Sequence, residues 1–309
     1  MTSFAFVFPG QGSQSVGMLD AWGDHPVVLE TLKEASDALG EDVAQLIHEG
    51  PKEALAMTTN TQPVMLVSAV AAYRAWLAEG GAKPSVVAGH SLGEYSALVA
   101  SGVLTLAQAA PLVRLRAAAM QEAVPVGVGA MAAILGLPSD KVIAGCQEAL
   151  AAFPAGSGEV VQAANFNDPA QTVIAGSKAA VDKACEVLKS MGAKRALILP
   201  VSAPFHSSLM KPAAEKLREK LATVALAVPQ IPGAEQHRCG GRNRCRPGPR
   251  RAVPPSLWPG TLGRVRASHE GPWREHPGRV WPRQSAGGHD QAHRRRIERR
   301  GLVRPRLLG

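Results

Sequence analysis

The sequence predicts an α/β protein: a mostly parallel sheet with flanking helices, and a smaller unit inserted into it. Three observations predict this class. Short apolar runs alternate with helix-patterned stretches over residues 1–125, and such alternation argues for parallel strands covered on both faces. Residues 127–200 change to a strand–helix–strand–strand–helix–strand order. The chain has 309 residues, enough to bury a large core and carry a smaller unit beside it.

The first apolar run, Phe4-Ala5-Phe6-Val7-Phe8, reads as a buried strand. It is too short, and lacks the basic flank, for a secretory signal. A helix is expected over 26–39, stopped by Gly40 in the left-handed conformation that ends many helices. Thr61 is expected to cap a second helix with Pro63 in its first turn, reaching Gly80. A strand at 85–88 then leads into a turn and a helix to about Ala100. Thr105 should cap the next helix, which carries Arg114 and Arg116; Pro111, beyond its first turn, predicts a kink or a late start.

In the inserted unit, strands are expected at 130–135, 160–164, 172–175 and 196–199. Helices are expected over 139–151, capped by Ser139, and over 177–191, capped by Ser177. This βαββαβ order is the split pattern of a ferredoxin-like subdomain. Ser207 should then cap an amphipathic helix through Leu209, Leu217 and Leu221, and the pattern ends at Ile231-Pro232. The expected division is a large α/β subdomain of residues 1–126 and 200–232, a small one of 127–199, and an atypical tail, 233–309.

The net charge of +9 conceals this break. From Gly233 onward the chain holds eighteen Arg, no Lys and five acidic residues, whereas residues 1–232 carry a net −4. The tail is rich in Pro and Gly, contains Trp258, Trp273 and Trp281, and lacks a sustained apolar period. Three readings stand: an Arg-rich nucleic-acid arm, a disordered tail, or a reading-frame shift in a GC-rich gene. Out-of-frame GC-rich codons give Arg, Pro, Gly and Ala and almost never Lys. No apolar stretch is long enough to span a bilayer. The four cysteines form no Cys-x-x-Cys pair, which fits a reducing cytoplasm.

The chemistry lies at Gly89-His90-Ser91-Leu92-Gly93, directly after Val86-Val87-Ala88 and before a helix-compatible run. A Gly-x-Ser-x-Gly between strand and helix exposes its serine oxygen on a sharp turn, with glycines expected to supply the unusual backbone angles. The helix start offers N–H groups to an oxyanion. The other reading is a tight βα turn with a harmless serine.

Ser91 needs a base. Four histidines precede the tail. His90 is expected to serve packing or the turn, and His25 and His48 to face solvent. His206 lies in Ser202-Ala203-Pro204-Phe205-His206-Ser207, a proline-fixed loop between strand and helix that suits a positioned base. The other reading is a polar residue at a helix start. Gln11, in the glycine-flanked loop after the first strand, would lie beside the oxyanion position if that strand neighbours the serine strand. A plain turn or a weak phosphate cradle are the other readings. Arg116 is one of five arginines in residues 1–232 and sits on a mainly apolar helix. An inward guanidinium matches a carboxylate in two parallel bonds; a structural salt bridge or a snorkelling side chain is the other reading. Arg114 is expected to be solvated.

Phe8-Pro9-Gly10-Gln11-Gly12-Ser13-Gln14, Gly89-His90-Ser91-Leu92-Gly93-Glu94-Tyr95 and Ala203-Pro204-Phe205-His206 together resemble the malonyl-CoA:acyl carrier protein transacylase family, which includes acyltransferase domains of polyketide synthases. The likeness runs from about Thr2 to Pro232. It implies an α/β-hydrolase-like core, malonyl-CoA and acyl carrier protein as partners, a CoA thioester as substrate, no permanently bound cofactor or metal, and a monomer with no membrane or nucleic-acid partner. It further implies Ser91 as nucleophile, His206 as its base, Gln11 and the Leu92 N–H as oxyanion hole, and Arg116 as carboxylate clamp. Asn165, in Asn165-Phe166-Asn167, is implied as a further contact. The sequence departs from the family after Ile231-Pro232: the expected strand, helices, glutamine and late Gly-Pro-Gly loop are not recognisable, and neither Gln230 nor Gln284 fits the glutamine's place. Losing a last sheet element would expose an apolar edge and face. Two rival functions are a thioesterase or esterase of α/β-hydrolase type and a nucleic-acid-binding protein acting through its Arg-rich tail.

Overall fold

The computed structural model describes residues 4–233; the tail and its three readings lie outside the described residues. Strand β1 (Ala5–Phe8) pairs in parallel with β2 (Val86–Gly89), in register from Ala5↔Val86 to Phe8↔Gly89. Beyond β2, the Val87 N–H donates to the Pro232 carbonyl at 3.0 Å, and Val87 bridges Gly233 in parallel. The described chain thus returns to the second edge of the serine strand.

A 3-10 turn (Asp20–Trp22) and four α-helices join β1 to β2. Helix α1 (Pro26–Leu39) ends at Gly40 with φ 68°. Asp42 caps α2 (Val43–Glu49) by accepting from the Gln45 N–H at 2.9 Å. After α3 (Lys52–Ala56) comes α4 (Thr58–Ala78), buried almost all round at residues 61–73. A helix apolar on every side belongs in the centre of a core. It starts three residues before the expected Thr61 cap. The Thr61 hydroxyl instead donates to the carbonyls of Leu55 and Met57 at 2.6 and 3.0 Å, and Pro63 lies inside the helix. The bond that Pro63 cannot make is offset by burial of the whole segment around it.

Helix α5 (Gly93–Ala100) follows β2, and α6 (Leu106–Glu122) begins with a reciprocal capping box between Thr105 and Gln108. That box fixes the start at Leu106, so Pro111 sits within the helix and does not delay it. Leu32, Leu66, Leu106, Leu112 and Val113 form the core between α1, α4 and α6.

The second sheet contains β3 (Gly129–Leu135), β4 (Val161–Asp168), β5 (Gln171–Ser177) and β6 (Arg195–Ile198). Its order is β4-β5-β3-β6 and every neighbouring pair is antiparallel. Helices α7 (Ser139–Ala151) and α8 (Lys178–Ser190) connect the strands in βαββαβ order and pack against each other. A Cβ at Gly145 would lie 2.4 Å from Leu188 Cδ2, so glycine permits this close helix contact. Strand β4 runs past the expected Ala164 to Asp168 because bulges at 163–165 and 166–168 keep it paired with β5.

Ser177 and Ser207 both precede helical turns, yet neither side chain caps one. The Ser177 hydroxyl accepts the Val160 N–H at 2.9 Å, tying β5 to β4. The Ser207 hydroxyl donates back to the Pro204 carbonyl at 2.7 Å, closing the loop on itself. A 3-10 turn (Ser208–Met210) then leads to α9 (Lys211–Leu221), which packs on α6. All described residues fall within one compact unit. Among the described residues no helix is long and apolar enough to cross a membrane.

Candidate active site

The end of β2 delivers the serine. A Cβ at Gly89 would lie 2.0 Å from the Gly93 carbonyl carbon, and one at Gly93 would lie 2.2 Å from the Phe8 carbonyl oxygen. Both glycines therefore allow backbone to touch backbone. The unusual angle expected of them falls on Ser91 itself, with φ 53°. Leu92 has helical angles and α5 starts at Gly93, so the serine stands just before a helix N-terminus.

His206 has φ 63°, and it and Ser91 are the two non-glycine residues with positive φ among the described residues. Such backbone costs about 1–3 kcal/mol per residue and persists only where the surroundings impose it. The loop supplies that constraint: Ala203, Phe205 and Ser207 are buried, and Pro204 packs on Gly129, where a Cβ would lie 2.3 Å from Pro204 Cδ. The two strained residues meet, with Ser91 Oγ 2.7 Å from His206 Nε2. Burial, then the charge of Arg116, then His90, push the His206 pKa down to about 3. The imidazole is therefore neutral at pH 7 and free to accept the serine proton. No carboxylate pairs with it among the described residues.

Arg116 completes the cluster. It is 8 % exposed. Its Nη1 donates to Gln62 Oε1 at 2.5 Å, its Nη2 to Ser91 Oγ at 3.0 Å, and its guanidinium carbon lies 5.8 Å from the centre of the Tyr95 ring. Burial lowers its pKa, with Tyr95 and Glu94 acting in the opposite direction. A guanidinium has five N–H donors, and these two bonds use two of them. Arg114 points elsewhere, as expected, but it is not simply solvated: it donates to Asn60 Oδ1 at 3.0 Å and pairs with Glu41.

Gln11 follows β1, which does neighbour β2. A Cβ at Gly10 would lie 2.7 Å from the His90 carbonyl, which places this loop against the serine turn. Gln11 Nε2 donates to Thr58 Oγ1 at 3.2 Å, and Thr58 Oγ1 lies 3.0 Å from Ser202 Oγ, at the base of the His206 loop. Asn165 is 7 % exposed, and its Oδ1 is buried with no partner. Two residues along β4, Asn167 Oδ1 lies 3.1 Å from His90 Nε2, so the small sheet reaches the serine turn. His48 is exposed, as expected, with Asp20 at 2.5 Å; His25, 3.1 Å from Glu79, is only partly exposed.

Thr58, Gln62 and Ser202 were not anticipated as part of the site. Thr58 and Gln62 stand one turn apart at the start of α4, and both are 2 % exposed. The signal for them was a buried-helix pattern that opens with polar residues, Thr-Thr-Asn-Thr-Gln-Pro. No group of three His, Cys, Asp or Glu able to hold a metal occurs among the described residues.

A serine on a strand–helix turn, touched by both a neutral histidine and a buried arginine, is an arrangement suited to acyl transfer through a serine oxygen. The acyl transferase domain family matches residues 5–239. The chain belongs to this family. Among its relatives, the malonyl CoA-acyl carrier protein transacylase of Escherichia coli K12 is 54 % identical over 233 residues, covering 75 % of this chain and 74 % of that protein. The Bacillus subtilis transacylase is 46 % identical over 222 residues, 72 % of this chain and 68 % of that protein. The crystal structure of an acyl-carrier-protein S-malonyltransferase from Burkholderia pseudomallei 1710b superposes with a TM-score of 0.73 at 64 % identity, covering 76 % of this chain and 75 % of the other. A malonyl-transacylase in complex with its type II polyketide acyl-carrier protein superposes with a TM-score of 0.72 at 49 % identity, covering 76 % and 74 %.

Proposed function

We propose that this acyltransferase moves a malonyl group from malonyl-CoA to the phosphopantetheine thiol of acyl carrier protein, through a seryl ester, at the entry to fatty acid elongation. The contact of Ser91 with both His206 and Arg116 carries this reading. The first pair suits a nucleophile and its base; the third group suits an acyl chain that ends in a carboxylate. The relatives' names supply the donor and the acceptor.

In the first half-reaction Ser91 Oγ attacks the thioester carbonyl as His206 Nε2 takes its proton. The oxyanion of the tetrahedral adduct rests on the backbone N–H groups of Gln11 and Leu92, donors worth roughly 3–4 kcal/mol each in such sites. The C–S bond then breaks, and His206 returns the proton to the CoA thiolate. In the second half-reaction the carrier thiol gives its proton to His206, its sulfur attacks the seryl ester, and Ser91 leaves with the proton. Arg116 holds the free carboxylate throughout, and Asn165, on β4, is a further contact. Residues 1–126 and 200–232 form the catalytic subdomain in this reading, and residues 127–199 the small subdomain over it. Two buried free thiols, Cys146 and Cys185, are in keeping with work in the cytoplasm.

The test is direct. The protein is incubated with malonyl-CoA and weighed intact, then given acyl carrier protein. A malonyl adduct should form, vanish in Ser91→Ala, and pass to the carrier. An adduct that persists in Ser91→Ala, or malonate released to water in place of transfer, would refute the reading; the latter would make the protein a thioesterase.

A further inference from the structure

We infer that Thr58 is a positioning residue: its hydroxyl ties the Gln11 loop to the His206 loop and so aligns the oxyanion donor with the base. The inference rests on the malonyl-transfer reading above.

Three segments far apart in sequence meet at this one oxygen. Gln11 Nε2 donates to Thr58 Oγ1 at 3.2 Å, and Thr58 Oγ1 lies 3.0 Å from Ser202 Oγ. An amide nitrogen only donates, so it takes a lone pair of Thr58 and leaves the hydroxyl proton for Ser202. Linked bonds of this kind polarise and strengthen one another. Thr58 is the first residue of α4 and is buried. The turn that carries it is itself tied down. Asn60 Nδ2 donates to the Ala54 carbonyl at 3.0 Å, and Thr61 Oγ1 donates to the carbonyls of Leu55 and Met57. The hydroxyl is a fixed point, and the two loops are what it fixes.

Both loops need such a point. The contact of Gly10 with the His90 carbonyl sets how closely the first loop approaches the serine turn, but not the direction of the Gln11 peptide. Hooking the Gln11 side chain to Thr58 sets that direction, and with it the aim of the Gln11 N–H. Ser202 lies four residues before His206, where the chain returns from β6. His206 has φ 63° and no carboxylate partner among the described residues, so its backbone has to aim its ring. Pro204 against Gly129 and Ser202 on Thr58 are two holds on that backbone. A displacement of about 1 Å at reacting groups can cost on the order of a hundredfold in rate. Thr58 acts through the two loops and not on the acyl chain, so its loss should slow every acyl group alike.

The experiment compares wild type, Thr58→Val, Thr58→Ser, Ser202→Ala and the double variant Thr58→Val/Ser202→Ala as full chains, with circular dichroism to check folding. The readouts are the single-turnover rate of seryl-ester formation, by rapid quench and intact mass, and kcat and KM for carrier loading, each from malonyl-CoA and from acetyl-CoA. Thr58→Val should lower the acylation rate and kcat by about tenfold for both thioesters, with KM within about twofold of wild type. Thr58→Ser keeps the hydroxyl and should recover to within about threefold of wild type. The double variant should be no slower than the slower single variant, because both changes remove the same link. A residue that merely packs would lower the unfolding temperature and leave these rates as they are. A folded Thr58→Val protein with wild-type rates, a Thr58→Ser protein as slow as Thr58→Val, or losses that multiply in the double variant would each overturn the inference and leave the malonyl-transfer reading standing. If Thr58→Val does not fold, Ser202→Ala decides: a lowered kcat at unchanged KM supports the inference and an unchanged kcat overturns it. A wild-type chain that loads no malonyl overturns the reading itself, and the inference with it.

Discussion

In the proposed mechanism, deleting the Arg116 side chain isolates the energetics of carboxylate recognition. Among the described residues two of its five N–H donors are engaged, by Gln62 and Ser91, and the other three are open to an incoming anion in the proposed mechanism. Two parallel charge-assisted bonds contribute about 1.5–3 kcal/mol each. Arg116→Ala should therefore lose about 3–6 kcal/mol of transition-state binding, or roughly two to four powers of ten in kcat/KM for malonyl-CoA. Acetyl-CoA brings no carboxylate, so its transfer should change by less than about tenfold and its rank relative to malonyl-CoA should reverse or level. Arg116→Lys, which keeps a charge without the planar fork, should fall between the two. The assay is carrier loading from each thioester at matched concentrations, with KM and kcat separated. If the malonyl-to-acetyl ratio of Arg116→Ala equals that of wild type, the guanidinium does not read the carboxylate and the reasoning fails.

Three further outcomes follow from the geometry. With the His206 pKa held near 3 by burial and Arg116, the rate of Ser91 acylation should stay level between pH 5 and 8, without a step near the ordinary histidine value of about 6.5. By linkage, the unfolded chain takes up that proton first as pH falls. Stability should therefore decline from about pH 6.5 toward pH 3 by up to about 1.4 kcal/mol per pH unit from this group, and His206→Gln should flatten the slope; a His206 resonance titrating near 6.5 in the folded protein would contradict both. Thr58→Val removes the hydroxyl between Gln11 and Ser202 while keeping the volume; kcat should fall by about tenfold with KM little changed, and unaltered kinetics would show that the link positions nothing. Gly93→Ala drives a methyl to within 2.2 Å of the Phe8 carbonyl, which should cost about 1–3 kcal/mol or more in urea unfolding; a wild-type midpoint would disprove that close approach.

Ser91, His206 and Arg116 are legible in the sequence because each stands in a diagnostic local setting: a strand-to-helix turn, a proline-fixed loop, and an apolar helix with no local partner for a charge. The neighbouring strands β1 and β2 then make the Gln11 loop a partner of that turn. Gln62, Thr58 and Ser202 were not legible, because their roles come from contacts made 54 and 144 residues away in sequence. The element order was readable from periodicity, but starts and caps were not. At α4 the Pro63 signal pointed three residues too late, because burial tolerates a proline that an exposed helix would reject. At Ser177 and Ser207, hydroxyls suited to capping found nearer acceptors and donors in the tertiary fold. The family match ends at residue 239, within a few residues of Gly233, where lysine disappears and arginine takes over.

The proton-sharing oxygen and nitrogen both hang from backbone that glycine alone adopts without penalty. In the proposed mechanism a glycine at position 91 or 206 would relax its turn and remove the nucleophile or its base, so durability and turnover pull against each other at the same two Cα atoms. A screen that rewards heat resistance alone would drift toward glycine at both positions and discard the activity, and a stabilised catalyst has to be sought by reinforcing the packing around Pro204 and Gly93, with those two turns left as they are.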